Sequence, residues 1–127
     1  MTKQTICIIG DGLTAYISAL ALGKLNLEID LVTDNFKKNI QTLRTTAISQ
    51  SNYDYLESLK IFNFPGRKFW SCKKMKLYES HDKILEFDMQ HSKNNILYMI
   101  SNQKILAAIK KKIKKSKKIK IKKKNNL

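Results

Sequence analysis

Residues 6–15 read Ile-Cys-Ile-Ile-Gly-Asp-Gly-Leu-Thr-Ala, an apolar run stopped by two glycines one residue apart. The whole chain of 127 residues has only four glycines, so this pair marks a place where the backbone must turn tightly. Ile6–Ile9 has the unalternated, β-branched composition of a strand buried on both faces. Leu13 to Leu25 is rich in Ala and Leu and reads as a helix, ended by Gly23 and Asn26. Leu27, Ile29 and Leu31 then alternate with Glu28 and Asp30, and Val32 follows, which is a strand pattern. Strand, glycine turn, helix and strand in this order predict a βαβ unit over 5–34 and an α/β fold of Rossmann type.

The turn itself has the spacing G-x-G-x-x-A across Gly10, Asp11, Gly12, Leu13, Thr14 and Ala15. In a dinucleotide-binding turn the first glycine permits the sharp bend and the second lets a pyrophosphate approach the backbone. The third position stays small so that helix and strand can touch. The helix N-terminus adds unpaired N–H groups and a partial positive charge. These six residues are therefore candidate cofactor contacts. An acid at the end of the second strand would hold a ribose hydroxyl. Thr33 occupies that place and Asp34 follows it, 22 residues past Gly12, so either can serve. The alternative for Asp34 is a solvated loop residue.

Beyond the unit, Asn35 to Arg44 is polar and predicts a loop. Ala47, Ile48, Leu56 and Leu59 predict a helix over Thr45 to Leu59, capped by Thr45 or Thr46. Phe64-Pro65-Gly66 is a turn signal. Met75 and Leu77, then Leu85, Phe87 and Met89, flank Ser80–Lys83 and predict a β-hairpin at about 73–89. A strand is expected over Ile96–Ile100. Ile105, Ile109 and Ile113 share one face of a helix from Gln103 to Lys115, and Ile119 and Ile121 alternate in a possible last strand.

The net charge of +15 invites a nucleic-acid reading. Its location argues against one. Residues 1–103 hold 13 Lys/Arg against all 10 Asp/Glu, whereas 104–127 hold 12 lysines and no acid. Basicity thus belongs to a Lys-rich tail, assigned to 110–127, after a partial domain over 1–109. The tail has no aromatic residue for base stacking, so no specific nucleic-acid partner is expected. Cys7 and Cys72 form no CxxC, and His81 and His91 have no companion ligands, so neither a disulfide framework nor a metal site is expected. No signal peptide is read, and the longest apolar helix is too short for a transmembrane segment. The expected location is cytoplasmic.

Three stretches carry a family resemblance: CIIGDGLTAYISALALG, LRTTAISQSNYDYLESLKIF and YMISNQKILAAI. In this order, from about Ile6 to Ile109, the chain resembles flavin-dependent aromatic-ring monooxygenases, and among them the ubiquinone-biosynthesis hydroxylases. The resemblance implies FAD as cofactor, NAD(P)H as reductant and an aromatic, prenylated or unprenylated, quinone precursor as substrate. It implies that Arg44 approaches the flavin's polar linker or phosphates. It also places Gln103 in a cofactor-lining segment where most relatives carry Arg; Gln can donate a hydrogen bond but brings no charge. A location peripheral to the inner membrane follows from the same likeness.

The family's later Gly-Asp motif and its substrate-covering sheet have no counterpart in these residues. The resemblance therefore implies a truncated, frameshifted or split reading frame, whose missing C-terminal part or other hydroxylase subunits would be partners. No catalytic residue is assigned, and the chain is not expected to be active alone. Two other readings stand beside it: a fragment of another FAD- or NAD-dependent oxidoreductase, and a non-enzymatic polyanion binder using the tail.

Overall fold

The structure is a computed structural model that describes residues 3–38, 41–62 and 69–126. It divides into two units, one formed by Met1–Thr42 with Gln103–Leu127 and the other by Leu43–Asn102. The turn signal Phe64-Pro65-Gly66 lies outside the described residues.

The first unit is built from β1 (Gln4–Ile9), α1 (Leu13–Leu22), β2 (Leu27–Val32), α3 (Asn102–Lys115, from Gln103 onward) and β8 (Ile119–Lys122). Its sheet is parallel with strand order β1-β2-β8. Ile6 lies beside Ile29 and Ile8 beside Leu31, while Ile29 and Leu31 are flanked in turn by Ile119 and Ile121. This apolar face is the one the helices cover. A Cβ on Gly23, at the end of α1, would stand 3.5 Å from the Ile119 side chain. Helix α3 adjoins α1, because its Lys110 Nζ sits 6.0 Å from the ring centre of Tyr16. Ile105, Ile109 and Ile113 of α3 are fully buried, as their i, i+4 spacing demands. On the opposite face, Lys120 pairs with Glu28 at 3.1 Å and Lys122 with Asp30 at 2.6 Å. The lysine-rich stretch 110–127 therefore contains the second half of α3 and all of β8.

β1 differs from its sequence reading. An apolar run without alternation reads as a strand enclosed on both sides, yet β1 is an edge strand, with Cys7 exposed and Ile9 63% exposed. Two strands flank β2, whereas among the described residues only β2 flanks β1.

The second unit has an antiparallel sheet of order β3-β7-β4, from β3 (Thr45–Ser49), β4 (Phe69–Cys72) and β7 (Leu97–Ser101), with α2 (Gln50–Ser58) attached to β3. A separate hairpin pairs β5 (Lys74–Glu79) with β6 (Asp82–Asp88). The helix expected over Thr45–Leu59 is thus a strand followed by a shorter helix. Thr45 to Ser49 pairs along its length with β7, where β-branched residues fit a pleated surface. The cap is Ser49, whose hydroxyl accepts the N–H of Asn52 at 3.3 Å. Around this sheet, Tyr53 stacks on Tyr98 at 4.1 Å and on Phe62 at 5.0 Å between ring centres.

No helix among the described residues is long and apolar enough to cross a membrane.

Candidate cofactor site

The G-x-G-x-x-A turn joins the end of β1 to the start of α1. Gly10 donates its N–H to the Val32 carbonyl at 3.1 Å, carrying the parallel ladder one residue past the strand. A Cβ at Gly10 would stand 2.9 Å from the Ala15 Cβ, closer than real Cβ atoms approach one another. The first glycine and the small residue five positions later are therefore one packing requirement. Any larger side chain at either position would push the helix off the strand.

Gly12 is the N-cap of α1, with extended backbone angles of φ −104° and ψ 175°. Its carbonyl accepts the first helical bond, from Tyr16 N–H at 3.2 Å. No side chain caps this helix, and no acidic side chain lies in its first turn. The N–H groups of the first turn thus have no intrahelical acceptor. A Cβ at Gly12 would meet nothing within 4 Å, so the space before the helix end is open. Bare donors, the positive end of a helix and an open approach together suit an anionic group such as a pyrophosphate. Leu13 and Ala15 are half-buried in this first turn, and Thr14 is exposed.

Asp11 faces the end of β2. Its Oδ1 accepts the Thr33 hydroxyl and the N–H groups of Asp34 and Asn35, each of the latter at 3.1 Å. Lys124 Nζ lies 3.7 Å from its Oδ2. The Thr33 bond is the largest influence and burial opposes it; with the Asn35 amide, Lys124 and the Asp34 amide added, the carboxyl is held below the usual carboxylate range. Thr33 is 2% exposed, and its hydroxyl also bonds the Tyr16 hydroxyl at 3.2 Å. Turn, helix and second strand are therefore tied by one chain of polar groups: Asp11, Thr33 and Tyr16. Burial raises the pKa of Tyr16, which keeps it neutral at ordinary pH.

This chain gives a test. Asp11→Ala leaves two backbone N–H groups and a hydroxyl without their acceptor and should cost about 1–3 kcal/mol. The pH dependence has a definite sign. A carboxyl whose folded pKa is depressed stabilises the fold fully at neutral pH. That stability is lost as pH falls below the ordinary carboxylate range and through the native value. Asp11→Asn should flatten this part of the acid-unfolding curve, followed by circular dichroism. An unchanged curve would remove Asp11 from the account.

The expected site residues fall into both units. Gly10–Ala15, Thr33, Asp34 and Gln103 belong to the first, and the turn gathers Asp11, Thr33 and Asp34 at its rim. Asp34 is exposed, and its Oδ1 accepts the Lys124 N–H at 3.0 Å. Gln103 is the second residue of α3 and lines a groove of about 300 Å³ with Phe36, Lys37, Lys38, Lys110 and Lys111. Arg44 belongs to the second unit, where it is exposed and its carbonyl accepts the Asn102 N–H at 3.0 Å. Tyr16 and Lys124 went unread in the sequence. Tyr16 sits four residues past Gly12, on the helix face that meets β2, and its hydroxyl was the available signal.

No family model matches the chain, and no curated protein matches it. Solved structures do match the fold. p-Nitrophenol 4-monooxygenase PnpA from Pseudomonas putida DLL-E4 aligns with a TM-score of 0.68 over 94% of this chain, at 14% identity. PqsL of Pseudomonas aeruginosa, in complex with 2-aminobenzoylacetate, gives 0.69 over 95% at 11% identity. The flavin-dependent monooxygenase PieE, in complex with FAD and substrate, gives 0.64 over 96% at 13% identity. This chain spans 32%, 33% and 24% of those three chains respectively. At such identities the likeness establishes fold alone. The parallel βαβ sheet with added antiparallel sheets is the fold of part of the FAD-binding domain of flavin-dependent monooxygenases.

Proposed function

We propose that this chain is the FAD-binding portion of an NAD(P)H-dependent flavoprotein monooxygenase that hydroxylates an aromatic quinone precursor, and that it does not turn over alone. The observation that carries the reading is the open, uncapped helix end at Gly12, inside a βαβ unit whose fold recurs in solved FAD-dependent enzymes. The fit to FAD rests on the same place: a Cβ at Gly12 meets nothing, so a phosphate can reach the backbone. FAD, when bound, supplies the redox and oxygen-transfer chemistry. The residues of this chain bind and orient it. Gly12 and the first turn of α1 receive the pyrophosphate. Asp11, committed to Thr33 and the β2 end, shapes the turn instead of touching the ligand. Asp34 is the candidate for the ribose hydroxyls, since the Thr33 hydroxyl is buried and already bonded. Arg44 brings a fixed planar cation toward phosphate oxygen, and Gln103 a neutral donor.

A closed pocket must keep water from a reactive flavin intermediate. These residues span a quarter to a third of the structural relatives, and in the family's layout the walls of such a pocket come from the part they do not span. The test is to combine the purified chain with FAD, NADH or NADPH, O₂ and a phenolic quinone precursor. No hydroxylated product is expected. Coupled turnover on the order of 1 s⁻¹ or faster would refute the reading of an incomplete enzyme.

One observation favours a second, non-enzymatic reading. The groove beside Gln103 is also lined by Lys114, so among the described residues five lysines and no carboxylate line it. Polyanion binding there should be sequence-independent and fall steeply with salt, measured by fluorescence anisotropy on two unrelated oligonucleotides. Salt-insensitive preference for one of them would favour a specific binding module.

A further inference from the structure

Acids of β2 and lysines of β8 form a ladder that runs toward the glycine turn. Glu28 pairs with Lys120 at 3.1 Å and Asp30 with Lys122 at 2.6 Å. The ladder continues past both strands. Thr33 N–H bonds the Lys122 carbonyl at 2.9 Å and keeps the two strand ends together. Lys124 then opens a single helical turn, Lys124–Asn126, and meets two carboxylates instead of one. Its Nζ lies 3.7 Å from Asp11 Oδ2 and 4.0 Å from Asp34 Oδ2, and its backbone N–H bonds Asp34 Oδ1 at 3.0 Å.

Asp11 stands between Gly10 and Gly12, beside the uncapped end of α1, and its Oδ1 also accepts the Asp34 N–H at 3.1 Å. Two full negative charges at this rim oppose the roughly +0.5 charge that a helix N-terminus offers an anion. Protonation does not relieve them at neutral pH, because Asp11 is held below the usual carboxylate range. A cation must offset them before a polyanion can settle at the turn. We infer that Lys124 sets the affinity of the turn for a diphosphate: its ammonium offsets Asp11 and Asp34, so that the phosphates can reach the helix end. This role rests on the proposed reading of the turn as a pyrophosphate site. The lysine-rich stretch thereby supplies a residue to the site as well as a strand to the sheet.

Calorimetry with ADP on the full chain tests the role. Lys124→Gln removes the ammonium and keeps the backbone N–H that holds Asp34. Its ADP affinity should fall about three- to tenfold at low salt, the size of a few screened charge interactions. Lys124→Glu should lose more, and Lys124→Arg should bind as the unsubstituted chain does. These differences should shrink at high salt, whereas a merely structural role would leave them standing. The thermal melt of Lys124→Gln should be unchanged, since an ion pair with a half-exposed lysine holds little of the fold. Without any ligand, carboxyl NMR should show the Asp11 pKa rising in Lys124→Gln, because a neighbouring positive charge has gone. ADP binding in Lys124→Gln as tight as in the unsubstituted chain, or tighter, would overturn this role alone. So would a Lys124→Arg variant as weak as Lys124→Gln. No ADP binding by the unsubstituted chain would overturn the reading of the turn, and this role with it.

Discussion

Gly12→Val should abolish ADP and FAD binding while leaving the fold intact. The conformation at Gly12 is extended, φ −104° and ψ 175°, which valine adopts readily. A new Cβ there meets nothing within 4 Å, so the protein itself offers no objection. The branched side chain would instead fill the space in front of the helix N–H groups, where a phosphate must come. Binding should weaken by at least ~100-fold, the result of losing several charge-assisted bonds of about 1.5–3 kcal/mol each. Calorimetry with ADP, beside a thermal melt, separates the two effects. Gly10→Ala is the contrasting case. Its Cβ would stand 2.9 Å from that of Ala15, so helix and strand must part and the melt itself should fall. Unaltered ADP affinity in Gly12→Val would detach the turn from phosphate binding.

Ile109→Ala should destabilise the first unit by about 2–5 kcal/mol. Ile109 is fully buried in the middle of α3, between Ile105 and Ile113, and its loss leaves a cavity over the sheet. A unit of this size has only a few kcal/mol to lose, at about 0.05–0.15 kcal/mol per residue. Removal of residues 116–127 should be worse, because it takes away β8 and uncovers the Ile29 and Leu31 backbone of β2. By contrast, Lys120→Ala breaks a half-exposed pair with Glu28 and should cost no more than ~1 kcal/mol. Urea unfolding followed by circular dichroism ranks the three. If residues 116–127 could be cut without loss of the transition, β8 would not be part of this unit's core.

Much of this organisation was legible in the residues because single local rules sufficed. The βαβ unit follows from an apolar run, a glycine turn and an alternating strand. The fingerprint spacing assigns Gly10 to the sharp bend and Gly12 to the pyrophosphate approach; that Gly10 also packs against Ala15 is seen only in the structure. Thr45–Ser49 differs from its sequence reading because its Ala and Ile also suit a helix face; pairing with β7, about fifty residues on, decides the matter and leaves no local trace. The edge position of β1 was hidden for the same reason. Composition reports what a strand could bury, and only the sheet order reports what it does bury. The Asp11–Thr33–Tyr16 chain needed three elements to be brought together, so sequence offered the individual groups without their connection. Arg44 and the turn lie in different units, and their shared role stays a proposal of the family likeness.

Competition between FAD and ADP for the purified chain tests the central claim most directly, that this βαβ turn receives the ADP half of FAD. Flavin fluorescence should change saturably on titration, and excess ADP should restore the free-flavin signal, while AMP, which lacks the pyrophosphate, should be far weaker. No saturable change, or FAD binding indifferent to ADP, would contradict the account.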